Sequence, residues 1–369
     1  MHLINATGMQ VGYTMATDPS ARDHIVVAIK GTFAFPRHDG DVCEIAEEQQ
    51  PLTTADEFCG APAYSSVRYE TDFALRKLRC DVLLNASAYA PEGHEATKVK
   101  VGIKIGRMMK VFDVIGDRMW MGGVFSRITS PVPFRVMPIT YDRAFGGIDN
   151  LDSDEATPDA YAVNPVGRGW HRTRNRFRMS GAQAPNTEDP ADPVRVPWGN
   201  YRPMSLGVVG RSWPQRYRHA GTYDRSWIDN VFPFLPADFN ELYFQAAPED
   251  QQIEYPRGGE EIILFNLVPE GRIRFRLPNI KMPVCFFHKD GSIKDQQGLL
   301  DTILIEPDRR RLILTWRASV ALKRNVFEIP EAVVGQMSMT WWRARAVGKN
   351  YYRSLAELVQ ARCAEGRSR

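Results

Sequence analysis

Apolar residues recur at every second position in parts of the first and last thirds of the chain. The clearest case is residues 97–105, where the aliphatic residues from Val99 to Ile105 alternate with lysines and a glycine. Successive side chains of a strand point to opposite faces, so this alternation predicts a half-buried strand with its aliphatic side chains inward. Residues 272–277 alternate arginines with apolar residues in the same way and predict a second such strand.

Other apolar runs are short, rich in β-branched or aromatic residues, and bounded by turn residues, as at 24–35, 80–89 and 261–267. Such runs are typical of strands. Residues 302–316 predict a hairpin that turns at Pro307-Asp308. Together these patterns predict a mainly β protein, with two packed antiparallel β-sheet units that are sandwich-like.

The middle of the chain, residues 129–240, is dense in Pro, Gly, Asn and Asp and rich in Trp and Tyr, with little periodicity. Disordered segments are usually poor in aromatic residues, so we expect a long, ordered, loop-rich segment. Within it, residues 183–197 are the best candidate for a mobile loop. Near the end, Tyr351, Leu355 and Leu358 fall near one helical face, which predicts a C-terminal helix capped by Asn350.

These patterns divide the chain into four consecutive segments. They are an N-terminal β unit at 1–128, a loop-rich and aromatic-rich central segment at 129–240, a C-terminal β unit at 241–345, and a C-terminal helix and tail at 346–369.

Composition narrows the classes of function. Against 47 Lys and Arg stand 44 Asp and Glu, and the net charge of +3 argues against a dedicated nucleic-acid binder. The first residues resemble no secretory signal, and no apolar run is long enough to span a membrane. Five cysteines without a C-x-x-C pair predict reduced thiols. We therefore expect a cytoplasmic protein.

Common catalytic signatures are absent from the sequence. It contains no G-x-x-x-x-G-K-[ST], H-E-x-x-H, G-x-S-x-G or G-x-G-x-x-G. We therefore expect a protein that is not an enzyme, with no catalytic residue, no cofactor and no metal site. The alternative left open is a carbohydrate or cell-wall hydrolase that uses Asp pairs of the central segment: Asp142, Asp224 and Asp238. It requires two carboxylates facing each other across a cleft.

Two kinds of residue are candidates for binding a partner. An arginine run begins at Arg168, and if residues 172–178 are extended, four guanidinium groups lie on one face and could grip an acidic protein surface. Aromatic residues of the middle and of the C-terminal part could act as anchors. The candidate partner-binding residues are Arg168, Arg172, Arg174, Arg176, Trp213, Arg216, Tyr223, Trp227, Trp341 and Trp342.

Eight motifs follow one another along the chain. In order they are Gly116-Asp-Arg-Met-Trp120, Ile139-Thr-Tyr-Asp-Arg-Ala-Phe-Gly-Gly147, Asn164-Pro-Val-Gly-Arg-Gly169, Trp213-Pro-Gln-Arg216, Gly221-Thr-Tyr-Asp224 with Trp227, Leu235-Pro-Ala-Asp-Phe239, Ala246-Ala-Pro-Glu-Asp-Gln-Gln252 and Leu314-Thr-Trp-Arg317. As an ordered set they resemble the bacterial domain-of-unknown-function family numbered 2169.

The resemblance implies a role in type VI secretion. Members of that family are encoded beside type VI secretion genes and are thought to be adaptors, or chaperones, that load a toxic effector onto the VgrG spike. The expected partners are a secreted effector, engaged through a PAAR-like or N-terminal loading domain, and VgrG, with neither nucleic acid nor membrane. The resemblance implies no cofactor and no catalytic residue. A structural spike or baseplate component is a second alternative.

Overall fold

Strands dominate the computed structural model, which describes residues 1–123, 127–151, 159–352 and 354–359. In chain order the strands are β1 His2–Asn5, β2 Gln10–Thr17, β3 Asp23–Ala34, β4 Glu44–Ile45, β5 Glu57–Phe58, β6 Val67–Tyr69, β7 Cys80–Leu84, β8 Ala86–Tyr89, β9 Lys98–Ile105, β10 Met108–Ile115, β11 Trp120–Met121, β12 Arg127–Ile128, β13 Val136–Ile139, β14 Phe145–Gly146, β15 Ile148–Asp149, β16 Asp159–Ala160, β17 Arg168–Gly169, β18 Thr187–Glu188, β19 Gln252–Ile253, β20 Glu261–Phe265, β21 Arg272–Arg276, β22 Pro283–Phe287, β23 Ile293–Gln297, β24 Leu299–Glu306, β25 Arg311–Ala321 and β26 Glu331–Val334.

The helices are short. The α-helices are α1 Pro214–Tyr217, α2 Arg225–Asn230 and α3 Met339–Ala346, and the 3₁₀ turns are Pro91–Gly93, Tyr141–Arg143, Thr173–Asn175, Glu241–Phe244, Glu249–Gln251, Pro307–Arg309 and Val326–Glu328. In the described part of the chain, no helix has the length and apolar character needed to cross a membrane.

Three larger sheets form the framework. The main sheet has seven strands in the order β19-β7-β24-β25-β3-β2, with β4 also paired to β3. A five-stranded sheet has the order β18-β10-β9-β20-β21, and a four-stranded sheet the order β1-β26-β22-β23. The hairpin β24–β25 turns at Pro307–Arg309, as the sequence predicts.

The main apolar core, the largest apolar cluster of the described residues, lies between the main sheet and the five-stranded sheet and also includes residues of the four-stranded sheet. Alternate residues of β3, from Ile25 to Ile29, share this core with β25 residues such as Trp316 and with Val101 and Ile103 of β9. In β9 the aliphatic residues are buried and the lysines exposed, which confirms the predicted half-buried strand. The mainly β, sandwich-like fold class is therefore confirmed.

The larger sheets combine strands from both ends of the chain. In the main sheet β3 pairs with β25, and in the five-stranded sheet β9 pairs with β20. The four segments predicted from the sequence therefore divide the chain in sequence order, but strands from different segments pair within one sheet. Within the described residues, the three larger sheets take their strands from the first and third of these segments, apart from β18 of the five-stranded sheet, which lies in the second.

The loop-rich middle is anchored rather than loose. Residues 183–197, for which we expected a mobile loop, contain β18, which pairs with β10. Within this segment Asn186 is fully buried, and Glu188 accepts a 2.5 Å hydrogen bond from Arg118. The expected mobile loop is thus held at its centre by strand pairing and an ion pair.

The C-terminal helical part differs from its predicted position. The sequence analysis missed α3, whose N-terminus is capped by Ser338. Tyr351, which the sequence placed in a helix capped by Asn350, is not helical, and the Asn350 side chain donates to the Tyr352 hydroxyl. The next helical residues begin after Ser354, whose hydroxyl accepts from a backbone N–H one turn on. Residues 360–369 lie outside the described part.

The cysteines of the described residues are free thiols. Cys43 and Cys80 are buried, Cys285 is half-buried and Cys59 is exposed. Burial raises the pKa of the Cys43 thiol to about 12. Cys363 lies outside the described residues.

The shared core predicts a large effect of truncating β9. Ile103→Ala is expected to lower the free energy of unfolding by about 2–5 kcal/mol, because Ile103 is fully packed between the sheets. Lys104→Ala, one residue away on the exposed face, should change it by less than about 0.5 kcal/mol. Urea denaturation measures both, and equal effects would contradict the assigned faces.

Candidate functional site

A largely exposed loop with several aromatic residues lies at 221–239 in the middle segment, and we call it the aromatic lobe. Its two ends are joined because Asp238 accepts hydrogen bonds from the backbone N–H and the hydroxyl of Thr222, at 3.0 and 2.7 Å. Between these ends lies α2, and only Pro236 of the lobe is buried. A loop with close ends and its own internal packing has the character of a compact surface loop.

Aromatic rings hold the lobe in shape. The Trp227 ring lies edge-on to Tyr223 and to Phe232, with ring centres 4.8 and 5.6 Å away. Its indole N–H donates to the Phe234 carbonyl at 2.9 Å. Asp224 caps α2 by accepting from the Trp227 backbone N–H, also at 2.9 Å. Trp227 is thus the centre around which the lobe is ordered.

The side chains around Trp227 leave much apolar surface in solvent. Tyr223 is 47% exposed, Ile228 54%, Phe232 66% and Phe234 46%. Single exposed apolar residues are common, but a group of four on one short loop is the kind of patch that marks an interaction site. The top of the lobe is therefore the candidate functional site.

Buried residues of the preceding segment support the base of the lobe. Just before it, Trp213 is buried at the start of α1 and packs edge-on against Tyr141, with ring centres 5.0 Å apart. Arg216 of α1 is also buried, and it donates to the carbonyls of Val209 and Tyr243 at 3.0 and 2.9 Å. Both side chains bind the protein's own core.

Arg216 also joins a set of buried charges. It donates to Glu70 at 2.5 Å, and Glu70 lies 3.5 Å from Lys77, which donates to Asp81 at 2.7 Å. Asp81 further accepts from the Ala246 backbone N–H at 2.7 Å. The chain is therefore held by Glu70 before the lobe and by Asp81 after it, and Lys77 contacts both of these carboxylates.

We call the complete set of these charges the buried ion network. Its further pairs are Lys30–Asp72 at 2.8 Å, Arg317–Asp301 at 2.7 Å, and Arg211 with Asp56 and with Glu70, each at 2.9 Å. The members are five cations, Lys30, Lys77, Arg211, Arg216 and Arg317, and five anions, Asp56, Glu70, Asp72, Asp81 and Asp301. The charges of these ten groups balance.

The network lies on the face of the main sheet that points away from the apolar core. Lys30, Asp81 and Arg317 follow strand neighbours that belong to the core, and successive side chains of a strand alternate between faces. A smaller apolar cluster, which includes Leu83 and Ile313, lies on this second face. Both faces of the sheet are therefore covered.

The pKa of Glu70 shows how strongly the neighbouring cations stabilise its charged form. Its burial alone would raise its pKa, but Arg216, Lys77 and Arg211 lower it from the ordinary 4.5 to about 2. For Lys77, burial acts to lower the pKa, and Asp81 and Glu70 raise it above its ordinary value. Both groups are therefore held in their charged forms.

The arginine run does not form the predicted face. Residues Thr173–Asn175 form a 3₁₀ turn, so 172–178 is not extended. Arg172 and Arg174 both contact the carboxylate of Asp159. The condition for a single guanidinium face is thus not met.

Two further arginines of the run, Arg168 and Arg176, also contact groups of this chain. Arg168 is half-buried and donates to the Asp142 carbonyl at 2.9 Å. The Arg176 guanidinium lies 4.9 Å from the centre of the Phe177 ring.

The tryptophan pair near the C-terminus also packs inward. Trp341 is buried and lies beside Phe287, and Trp342 packs edge-on against it with ring centres 4.9 Å apart. The Arg345 guanidinium lies 3.8 Å from the Phe287 ring centre. These rings fasten α3 to the four-stranded sheet.

Each of the three carboxylates of the hydrolase alternative accepts hydrogen bonds from other groups of this chain. Asp142 accepts from the backbone N–H and hydroxyl of Ser66, while Asp224 and Asp238 cap α2 and close the lobe. None of these contacts pairs one of the three carboxylates with another. Within the described ranges no group of three metal-ligating side chains was found.

A cleft of about 710 Å³ lies beside the base of the lobe. Two ion pairs form part of its lining, Arg218 with Glu249 at 2.6 Å and Arg202 with Asp250 at 2.7 Å, while Arg216, also in the lining, pairs with Glu70. His219, also in the lining, has a pKa lowered by burial and by Arg218.

The structure therefore separates the candidate binding residues into three groups. Tyr223 and Trp227 lie in the lobe, while Trp213 and Arg216 support it from below. Sequence reasoning missed Ile228, Phe232 and Phe234, although the run Phe232-Pro-Phe-Leu-Pro236 carried a signal. The remaining candidates are distant from the lobe in the sequence. Arg172, Arg174 and Arg176 lie in or beside the arginine turn, Arg168 lies on β17, and Trp341 and Trp342 lie on α3.

Comparison with known proteins gives one match. The family model described as "Uncharacterized protein conserved in bacteria (DUF2169)" matches residues 20–317, which is well over half of the chain. Neither the comparison with curated proteins nor that with solved structures found a match.

Breaking the buried ion network should destabilise the protein strongly. Lys77→Met leaves Asp81 and Glu70 buried with one cation fewer, and we expect a loss of about 3–5 kcal/mol in the free energy of unfolding. Arg225→Met removes the exposed Arg225–Asp229 pair and should cost at most about 0.5 kcal/mol. Chemical denaturation compares the two, and similar losses would argue against the network's role.

The network also predicts a dependence of stability on pH. Because the pKa of Glu70 is depressed in the folded state, its contribution is complete above about pH 4.5 and is lost as pH falls towards 2. The shift corresponds to about 3 kcal/mol.

Glu70→Gln should flatten the stability profile between pH 5 and pH 2, measured by thermal unfolding at each pH. Glu92→Gln, at an exposed site, controls for loss of charge, and an unchanged Glu70→Gln profile would refute the prediction.

Proposed function

Since the chain belongs to this bacterial family, we propose that it is an adaptor, or chaperone, that binds a type VI secretion effector in the cytoplasm and helps to load it onto the VgrG spike. The role in secretion is taken from the family that the eight sequence motifs resemble. The observation that carries the binding part of the proposal is the aromatic lobe, with its exposed Tyr223, Ile228, Phe232 and Phe234.

Exposed aromatic side chains are well suited to binding a partner protein. Large rings supply much contact area per residue and dominate the energetics of many interfaces. Tyr223, Trp227 and Phe232 already pack against one another. Their side chains therefore lose little further conformational entropy when a partner binds. The fixed base at Trp213 and Arg216 adds to this preorganisation.

The charges of the lobe suggest the chemistry of the surface it binds. Asp224, Asp229 and Asp238 outnumber Arg225, which leaves the lobe with a negative balance around its rings. A complementary partner surface is apolar at its centre and basic at its rim. The effector would present such a surface on its PAAR-like or N-terminal loading domain.

Removing the lobe's most exposed ring should weaken effector binding without harming the fold. Phe232→Ala, alone or with Tyr223→Ala, is expected to reduce affinity for the effector by about tenfold or more, the range of an interface hot spot. The matched control is Phe327→Ala, which removes an equally exposed ring outside the lobe. Each variant is co-expressed with effector genes from the neighbourhood, purified through the adaptor, and its affinity measured by calorimetry.

Two results would sink this proposal. One is that no neighbouring effector co-purifies and secretion of every effector persists after deletion of the gene. The other is that Phe232→Ala binds the effector as the parent protein does. Constitutive self-association into a symmetric assembly would favour a structural spike or baseplate component instead.

A further inference from the structure

Strand β2 forms one edge of the main sheet. Its eight residues pair with β3 in antiparallel register, from Gln10 opposite Lys30 to Thr17 opposite Asp23. On its other side no described strand is paired with it, and no backbone-to-backbone hydrogen bond joins 10–17 to another described segment. Apart from the Thr14 hydroxyl, which donates to the Met15 carbonyl at 3.4 Å, the described residues leave the outer edge of β2 open along its length.

The register identifies which backbone groups point outward. β25 pairs with β3 over its whole length, so β2 and β4 share the opposite side of β3. On that side Thr32 accepts from the Ala46 backbone N–H at 2.9 Å and donates its own N–H to Gln49 at 2.8 Å. Even-numbered residues of β3 thus direct their backbone groups towards β2.

Hydrogen-bonded and non-hydrogen-bonded pairs alternate along an antiparallel ladder. The even-numbered residues of β2, which lie opposite even-numbered residues of β3, therefore bond inward. Val11, Tyr13 and Met15 lie between them and direct their N–H and C=O groups away from the sheet. Within β2, these three residues form a row of outward donors and acceptors.

The other ends of the three larger sheets are shorter, charged or covered. β1, β18 and β19 have at most four residues, and β23 carries Lys294 and Asp295. The arginine-rich β21 is covered by hydrogen bonds from residues 39–43. Natural proteins protect sheet edges by such means. β2 has eight residues, none of them charged and none a proline.

The side chains of β2 extend the apolar core to this edge. Tyr13 and Met15 lie opposite Val27 and Ile25, which belong to the core, and hence on the same face. They are nevertheless 40% and 47% exposed. A further strand would cover them and continue the core by one strand.

We propose that the outer edge of β2 binds one extended segment of a partner protein, which adds to the main sheet as a further strand. Only an extended backbone matches a row of alternating donors and acceptors. Because β2 is uncharged and its exposed side chains are apolar, the segment is uncharged along its paired length and apolar at every second position. Eight residues span about 26 Å, which sets the length of the segment. This surface is separate from the aromatic lobe.

The probe for the test is a synthetic peptide with an alternating Val-Thr core of eight residues, lysines outside the core for solubility, and a fluorescein label. It is titrated into the full chain by fluorescence anisotropy. We expect saturable binding, with slower amide hydrogen exchange at Val11, Tyr13 and Met15. A peptide N-methylated at alternate core positions, which removes its donors, should bind about tenfold or more weakly.

Protein variants then locate the site. Met15→Pro removes an outward N–H that β3 does not use, so it should keep the melting temperature and lose peptide binding. Thr14→Pro removes an inward N–H and should lower the melting temperature. Met15→Lys, which leaves the backbone unchanged, should also weaken binding. Phe232→Ala in the lobe should leave peptide binding unaltered, which keeps this test separate from that of the adaptor role.

Several results would overturn the proposal. They are no binding up to about 1 mM peptide, equal binding of the N-methylated peptide, protection confined to residues outside β2, and unchanged binding by Met15→Lys. A dimer of the chain that Met15→Lys dissociates would assign the edge to a second copy of this protein, and would equally overturn the proposed occupant.

Discussion

The buried ion network is the interaction on which the arrangement of the central segment depends. Burying charges on a covered face of a sheet is unfavourable unless each one meets opposite charges or hydrogen-bond partners. Lys30, Asp81 and Arg317 are fixed on the main sheet by the strand pattern. Their partners must therefore come from segments that cover this face.

The covering segments include the chain on both sides of the aromatic lobe. Arg216 enters the network before the lobe, and the Ala246 backbone enters it after the lobe through Asp81. The requirement to neutralise buried charge thereby fixes the base of a loop whose upper part is almost entirely exposed. A rigid base with exposed aromatic rings is the arrangement that we connect with protein binding.

Sequence patterns predicted the parts of this structure that follow from local alternation. The β9 strand could be predicted directly, because burial on one side only leaves a period of two, and the β24–β25 hairpin could be predicted from the apolar runs on either side of Pro307-Asp308. The network could not be read in this way. Thr315 and Arg317 alternate with core residues as a solvent-facing row would. Asp301 lies on the neighbouring strand of the same hairpin, but Asp72 reaches them from a distant part of the chain.

The candidate site was predicted in part for a similar reason. Aromatic density in the middle segment pointed to Tyr223 and Trp227, but the sequence does not distinguish an exposed ring such as Phe232 from a buried one such as Trp213. The arginine run was misjudged because its geometry was assumed to be extended. A 3₁₀ turn at Thr173–Asn175 instead directs two of its side chains to one carboxylate, that of Asp159.

Hydrogen exchange of the full chain, alone and in complex with a co-purified effector, is the most direct test of the central claim that the lobe binds the partner. We expect slower exchange at residues 221–239 in the complex, with no change in the arginine turn at 172–178. Unchanged exchange throughout the lobe, with protection confined to other parts of the chain, would contradict it.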